Sequence, residues 1–114
     1  DKLTSLKSEI DAKQVTINQQ TEAYNNETNA LNQLILDFNR RVESGQISGW
    51  RYQNERATLE ARINRHEVTY QNIQQSIDAI NQQITEYNNH VLFENQLMNQ
   101  INSNAVSNEL ESQK

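Results

Sequence analysis

Apolar residues recur along this chain at alternating spacings of three and four, over two long stretches separated by a short break. That 3-4 repeat is the mark of helices carrying a narrow apolar stripe along one face. In the first stretch, Leu3, Ile10, Ile17, Tyr24, Leu31 and Phe38 occupy one heptad position, a. The matching d sites are Leu6, Lys13, Gln20, Glu27, Leu34 and Arg41, so that half of the stripe is polar in its middle. In the second stretch the a sites are Arg56, Ile63, Tyr70, Ile77, Ile84, Val91, Met98 and Ala105. Its d sites are Tyr52, Leu59, His66, Ile73, Ile80, Tyr87, Glu94, Ile101 and Asn108. The pattern predicts one helix over about 2–44 and a second over about 49–108.

The break between them is Ser44-Gly45-Gln46-Ile47-Ser48-Gly49, which holds both glycines of a chain without proline. Gly45 fits the left-handed position just past a helix C-terminus, where a Cβ would be strained. Ser48 fits the N-cap of the next helix, with Ile47 and Tyr52 placed to form a hydrophobic staple; Arg51 leaves the capping box incomplete. Turn residues Gly45, Ile47, Ser48 and Gly49 therefore reverse the chain across 45–48, and residues 1–114 form a single helical hairpin. The expected fold is all-α: a long antiparallel two-helix coiled coil, with dimerisation into a four-helix arrangement as an option. Facing the two stripes suggests Phe38 by Leu59, Leu31 by His66 and Tyr24 by Ile73. Trp50 is expected to lie on the last turn of the first helix.

In that register the first helix begins near Glu94, and a cluster at Val91, Leu92, Phe93, Leu97, Met98 and Ile101 extends past it. These residues spread over several heptad positions, a band too wide for one partner helix. Burying a Leu, Phe or Met side chain is worth about 1.5–3 kcal/mol. The cluster is accordingly the candidate interface, covered by a second copy in a homo-oligomer (a dimer) or by another helical protein.

Composition narrows the class further. Only 34% of the 114 residues are hydrophobic, and the mean hydropathy is −0.95. A conventional globular core is not to be expected from so few apolar residues, whereas a two-helix seam needs no more. The polar surface is built from seventeen Asn and fourteen Gln rather than mainly from Glu and Lys. Asn competes for backbone hydrogen bonds and is a mediocre helix former, so the seam must carry the stability. The net charge of −5 disfavours nucleic acid and anionic membranes as generic partners. No apolar run reaches membrane-spanning length, and the absence of cysteine excludes disulfides and thiol chemistry. Opening on Asp1 rather than Met fits a mature form or an excised fragment.

The candidate chemistry is sparse. All six arginines (Arg40, Arg41, Arg51, Arg56, Arg62 and Arg65) lie toward the turn, interleaved with Asp37, Glu43, Glu55, Glu60 and Glu67. Solvated ion pairs such as Asp37–Arg41, Arg51–Glu55 and Arg56–Glu60 explain them better than a phosphate grip. Glu86, His90 and Glu94 recur every fourth residue, but no metal-binding motif accompanies them and no metal or other cofactor is expected. The serines lack a nucleophile-elbow context, neither glycine belongs to a phosphate-binding loop, and two paired helices offer no pocket for a small-molecule substrate. An enzyme is not expected. Asn26-Glu27-Thr28 matches the glycosylation pattern, as an Asn-rich chain will by chance.

The long amide-rich hairpin, with its Tyr24-Asn25, Phe38-Asn39 and Tyr87-Asn88 dipeptides, resembles coiled-coil stalk and spacer segments of bacterial secreted or envelope proteins. The resemblance implies a non-enzymatic structural or interaction module, exported to the periplasm, envelope or exterior. The alternative is a helical module that associates with membrane or secretion machinery through its tip or its C-terminal stretch.

Overall fold

The computed structural model describes the backbone of residues 1–112 and the side chains through Ala105; the expected d site Asn108 lies outside the described side chains. Two α-helices, α1 (Lys2–Glu43) and α2 (Gly49–Ser112), account for nearly all of it. The protein is an all-α two-helix hairpin. Its residues fall into two packing units, Gln14–Asp78 around the turn, and Asp1–Lys13 with the part of α2 from Ala79 onward.

α1 starts with a side-chain cap that the sequence pattern did not single out. The backbone N–H of Thr4 donates to Asp1 Oδ1 at 2.9 Å, which satisfies one of the helix's orphan donors and places a carboxylate at its positive end. The helix ends in a Schellman arrangement. Gln46 N–H reaches back to the carbonyl of Arg41 at 2.8 Å, and Gly45 N–H to that of Val42 at 3.1 Å. This pairing of 6→1 and 5→2 bonds requires a left-handed residue between them, and Gly45 supplies it with φ 76°. Gly49 is left-handed as well, with φ 61°, where the cap reading treats it as an ordinary first helical residue. Two such residues four apart turn the chain sharply enough for Ile47 to tuck beneath the turn, 4% exposed.

In the turn-side unit, Leu31, Phe38 and Ile73 are buried, joined by half-buried Tyr24, Tyr52, Leu59 and His66. The rings of Phe38 and Tyr52 stack at 5.6 Å, and those of Tyr24 and His66 at 4.0 Å. Both contacts lie one heptad, about two helical turns, away from the suggested partners. Phe38 stacks on Tyr52 where Leu59 was the suggested partner, and His66 meets Tyr24 and Thr28 where Leu31 was suggested. Aromatic stacking favours this alignment, because rings reward an offset-stacked geometry that a bare apolar pattern cannot register.

In the turn-side part of α2, through Tyr70, the rotation also differs from the heptad assignment. Arg56, Ile63 and Tyr70 were the expected a sites, yet Ile63 is 39% exposed and Tyr70 43%. Glu55 and Arg62, each one residue earlier, hold the half-buried positions instead. Glu55 pairs with Arg41 at 3.0 Å and Arg62 with Glu27 at 2.7 Å, both across the two helices. These charge-assisted bonds draw one edge of α2 inward and leave the Ile63–Tyr70 edge on the flank.

In the other unit, Leu6, Ile10 and Ile80 are buried, and Ile84, Tyr87 and Val91 are half-buried. Lys13 Nζ donates to Gln83 Oε1 at 2.8 Å, while Gln83 Nε2 donates to Glu9 Oε2 at 3.3 Å. One glutamine thus serves a cation and a carboxylate of α1 at once, a use of the amide that neither Glu nor Lys could copy.

Candidate interaction surface

The candidate interface lies where α2 loses its neighbour. The first turns of α1, represented by Lys2, Leu6 and Glu9, share a shallow groove with Gln83 and Glu86 of α2. Val91 is half-buried, and beyond it every described side chain of α2 through Ala105 is exposed. Phe93 is 62% exposed, Met98 57%, Ile101 52% and Leu97 45%. At 3.6 residues per turn, Val91, Phe93, Leu97, Met98 and Ile101 fall on one arc of roughly 160°. Leu92 is exposed too but sits about 100° round the axis from Val91, away from that arc. The structure therefore brings five of the six expected interface residues onto one face and separates the sixth.

The charges of this stretch are few and acidic, and both fall within the same arc. From Gln83 to Ala105 the only Asp, Glu, Lys or Arg residues are Glu86 and Glu94. Glu86 Oε1 approaches His90 Nε2 at 3.8 Å, too long for a hydrogen bond. Among the described residues no group of three or more His, Asp or Glu side chains is gathered to hold a metal ion.

The turn presents a second surface. Trp50, expected to cover the end of α1, instead projects outward and is 78% exposed. The staggered left-handed glycines explain the difference, because they place Ile47, not Trp50, under the last turn of α1. Arg51 beside it is mostly exposed and makes a loose 3.7 Å pair with Glu55. Arg41 bridges Asp37 at 2.9 Å and Glu55 at 3.0 Å, and Arg56 pairs with Glu60 at 2.9 Å. Hydrogen bonding to Glu55 and to Glu60 raises the pKa values of Arg41 and Arg56 respectively above the usual guanidinium range. The cations nearest the turn are thus largely committed to internal carboxylates.

Within the turn-side unit, Glu27, one of the polar d sites of the first helix, belongs to a polar layer of the seam. Arg62 donates from Nε and Nη2 to the two oxygens of Glu27, both at 2.7 Å. This bidentate bond holds the Glu27 carboxyl below its usual range and lifts Arg62 above its own. Next to it, Thr28 Oγ1 donates its single proton to the carbonyl of Tyr24 at 3.0 Å. The same Oγ1 also lies 2.7 Å from His66 Nε2, a hydrogen bond that ties the two helices together. The spacing of Glu27 and Thr28 against Arg62 and His66 was visible in the chain, but only a correct alignment could have joined them.

No described helix is long and apolar enough to cross a membrane. No protein family, no curated protein and no solved structure matches this chain.

Proposed function

We propose that this chain is a non-enzymatic structural and protein-interaction module, in which a two-helix seam holds out the arc Val91–Ile101 to pair with another helix. The observation that carries this reading is the run of Phe93, Leu97, Met98 and Ile101, large apolar side chains about half exposed on one face. Scattered single apolar residues are normal on a protein surface, but a contiguous patch marks a contact site. The amide-rich surface, little dependent on ionic strength, supports service as a stalk or spacer of an exported protein. A fluorescent apolar dye provides the test at protein concentrations low enough to keep chains apart. The native chain should enhance its emission, and Leu97→Gln, Met98→Gln, Ile101→Gln together should abolish most of the gain while helicity holds. An enhancement that survives the triple substitution would place the sticky surface elsewhere and overturn the reading.

Exposure of Trp50 supports a second reading, in which the tip contacts a membrane or a secretion component. Because Trp50 is the only tryptophan, its emission reports on the tip directly. A blue shift on adding vesicles with anionic phospholipid would support a membrane contact, and unchanged emission would remove it.

A further inference from the structure

Resting on the reading of the C-terminal stretch as a contact surface, we infer that its occupant is the same stretch of a second copy, paired antiparallel. The first ground is continuity with the seam already formed. Ile73 and Ile80 are buried d sites, Ile84 and Val91 are half-buried a sites, and Met98, Ile101 and Ala105 follow in the same phase. What fits the exposed continuation is a helix with the spacing that α1 uses, running antiparallel to α2 as α1 does. The stretch itself has that spacing. A second α2 lying antiparallel on the first continues the lane of α1.

The second ground is charge. A partner selected by its charges would need complementary groups on this face, and residues 83–105 offer only Glu86 and Glu94, with no Lys or Arg. Such a face carries no cation to attract an acidic helix, and a copy of itself is accepted where the paired carboxylates are kept apart. The position of Glu94 then selects the orientation. It is a d site, so a parallel, in-register pair would set the two Glu94 carboxylates against each other in the seam, which like charges disfavour. In an antiparallel pair centred between Met98 and Ile101, Met98 lies across from Ile101 of the second copy, and the reverse. Glu94 then faces Ala105 of the second copy, and the two Glu94 side chains stand about 16 Å apart along the axis. Ala105 is the smallest seam residue in the stretch and leaves room for the carboxylate to reach water.

The symmetry makes the contact isologous and closed, so it ends at a dimer instead of propagating. Phe93 and Leu97 flank the new seam and widen it, which accounts for an arc broader than a two-helix stripe requires.

Light scattering across concentration, combined with spin labels on single-cysteine variants of the full chain, tests the proposal. The native chain should rise from monomer to dimer mass and stop there. A label at Asn99→Cys, near the axis, should give a short distance between copies, within roughly 25 Å given interhelical spacings of 8–10 Å and the reach of two labels. A label at Asn54→Cys, next to the turn, should give none. The Leu97→Gln, Met98→Gln, Ile101→Gln chain should halve in mass at the same concentration and remain helical, since Gln is a good helix former. A monomeric native chain up to about 1 mM would overturn the second copy as occupant, leaving the dye result to decide separately whether the face is a contact surface. A dimer with short distances at Asn54, or one that survives the triple substitution, would overturn the antiparallel arrangement.

Discussion

Phe38 and Phe93 occupy comparable places in the chain's chemistry and opposite places in its structure. Each is an apolar ring on a long helix amid Asn and Gln, yet Phe38 is 8% exposed and Phe93 62%. The turn-side unit closes around its rings with stacked partners and cross-helix ion pairs. Among the described residues, the stretch of α2 from Leu92 to Ala105 continues the same periodicity with its side chains exposed. The difference teaches that a 3-4 repeat specifies a face and its direction, while what covers the face depends on where the neighbouring helix runs. Stability and contact potential are thus written in the same pattern, and only pairing separates them.

The sharpest way to break this comparison is to truncate both rings. Phe38→Ala should cost about 3–5 kcal/mol, because it removes a buried ring and leaves a cavity beneath Tyr52. Phe93→Ala in the dilute chain should cost under about 0.5 kcal/mol, as expected of an exposed site. Thermal melts followed by circular dichroism read both, and similar losses would erase the distinction between the two regions.

A smaller effect is expected at the turn. Gly45→Val should destabilise by about 1–2 kcal/mol, because a β-branched residue is strained at φ 76° even though no atom lies within 4 Å of the added Cβ. Gly49→Ala tests the second left-handed position in the same way and should lower the melting temperature by less, Ala being unbranched. Neutral behaviour at both would mean that the reversal does not depend on these backbone geometries.

The smallest expected effect concerns the polar layer of the seam. The Glu27 carboxyl is held below its usual range by Arg62, so folding favours its ionised form. The stabilisation is therefore fully present above the ordinary glutamate range and is lost as the pH falls from there through the lowered folded value. Glu27→Gln should lower the melting temperature modestly at neutral pH and leave it nearly unchanged in strong acid, where the native Glu27 carboxyl is already protonated. The two side chains remain about one-third exposed, which keeps the effect small. An equal deficit at both pH values would assign the role of Glu27 to packing instead.

Much of this fold was legible because its signals are local. The heptad spacing marks both helices, the two glycines mark their junction, and Gly45 sits where a C-terminal cap needs a left-handed residue. The exposed cluster after Val91 was legible too, from its width and from the shorter first helix. Alignment was not. Sliding one helix by a heptad against another preserves every apolar match in a regular repeat, so the choice fell to stacking of Tyr24 on His66 and to the bidentate Glu27–Arg62 bond. The same ion pairs turned Ile63 and Tyr70 to the flank, which a count of apolar positions could not foresee. Trp50 was misplaced for a different reason. Its place just after Ser48 suggested a cover for the helix end, but the second left-handed glycine hands that place to Ile47.

The central claim, one seam paired along part of α2 and continued unpaired beyond Val91, is tested most directly by amide hydrogen exchange resolved along the chain. In dilute solution, amides around Ile73 and Ile80 should be strongly protected, and those from Phe93 to Ala105 should exchange much faster, since helix without a packed face frays. Raising the protein concentration should slow exchange selectively in that second segment. Uniform protection along α2 at every concentration would contradict the account.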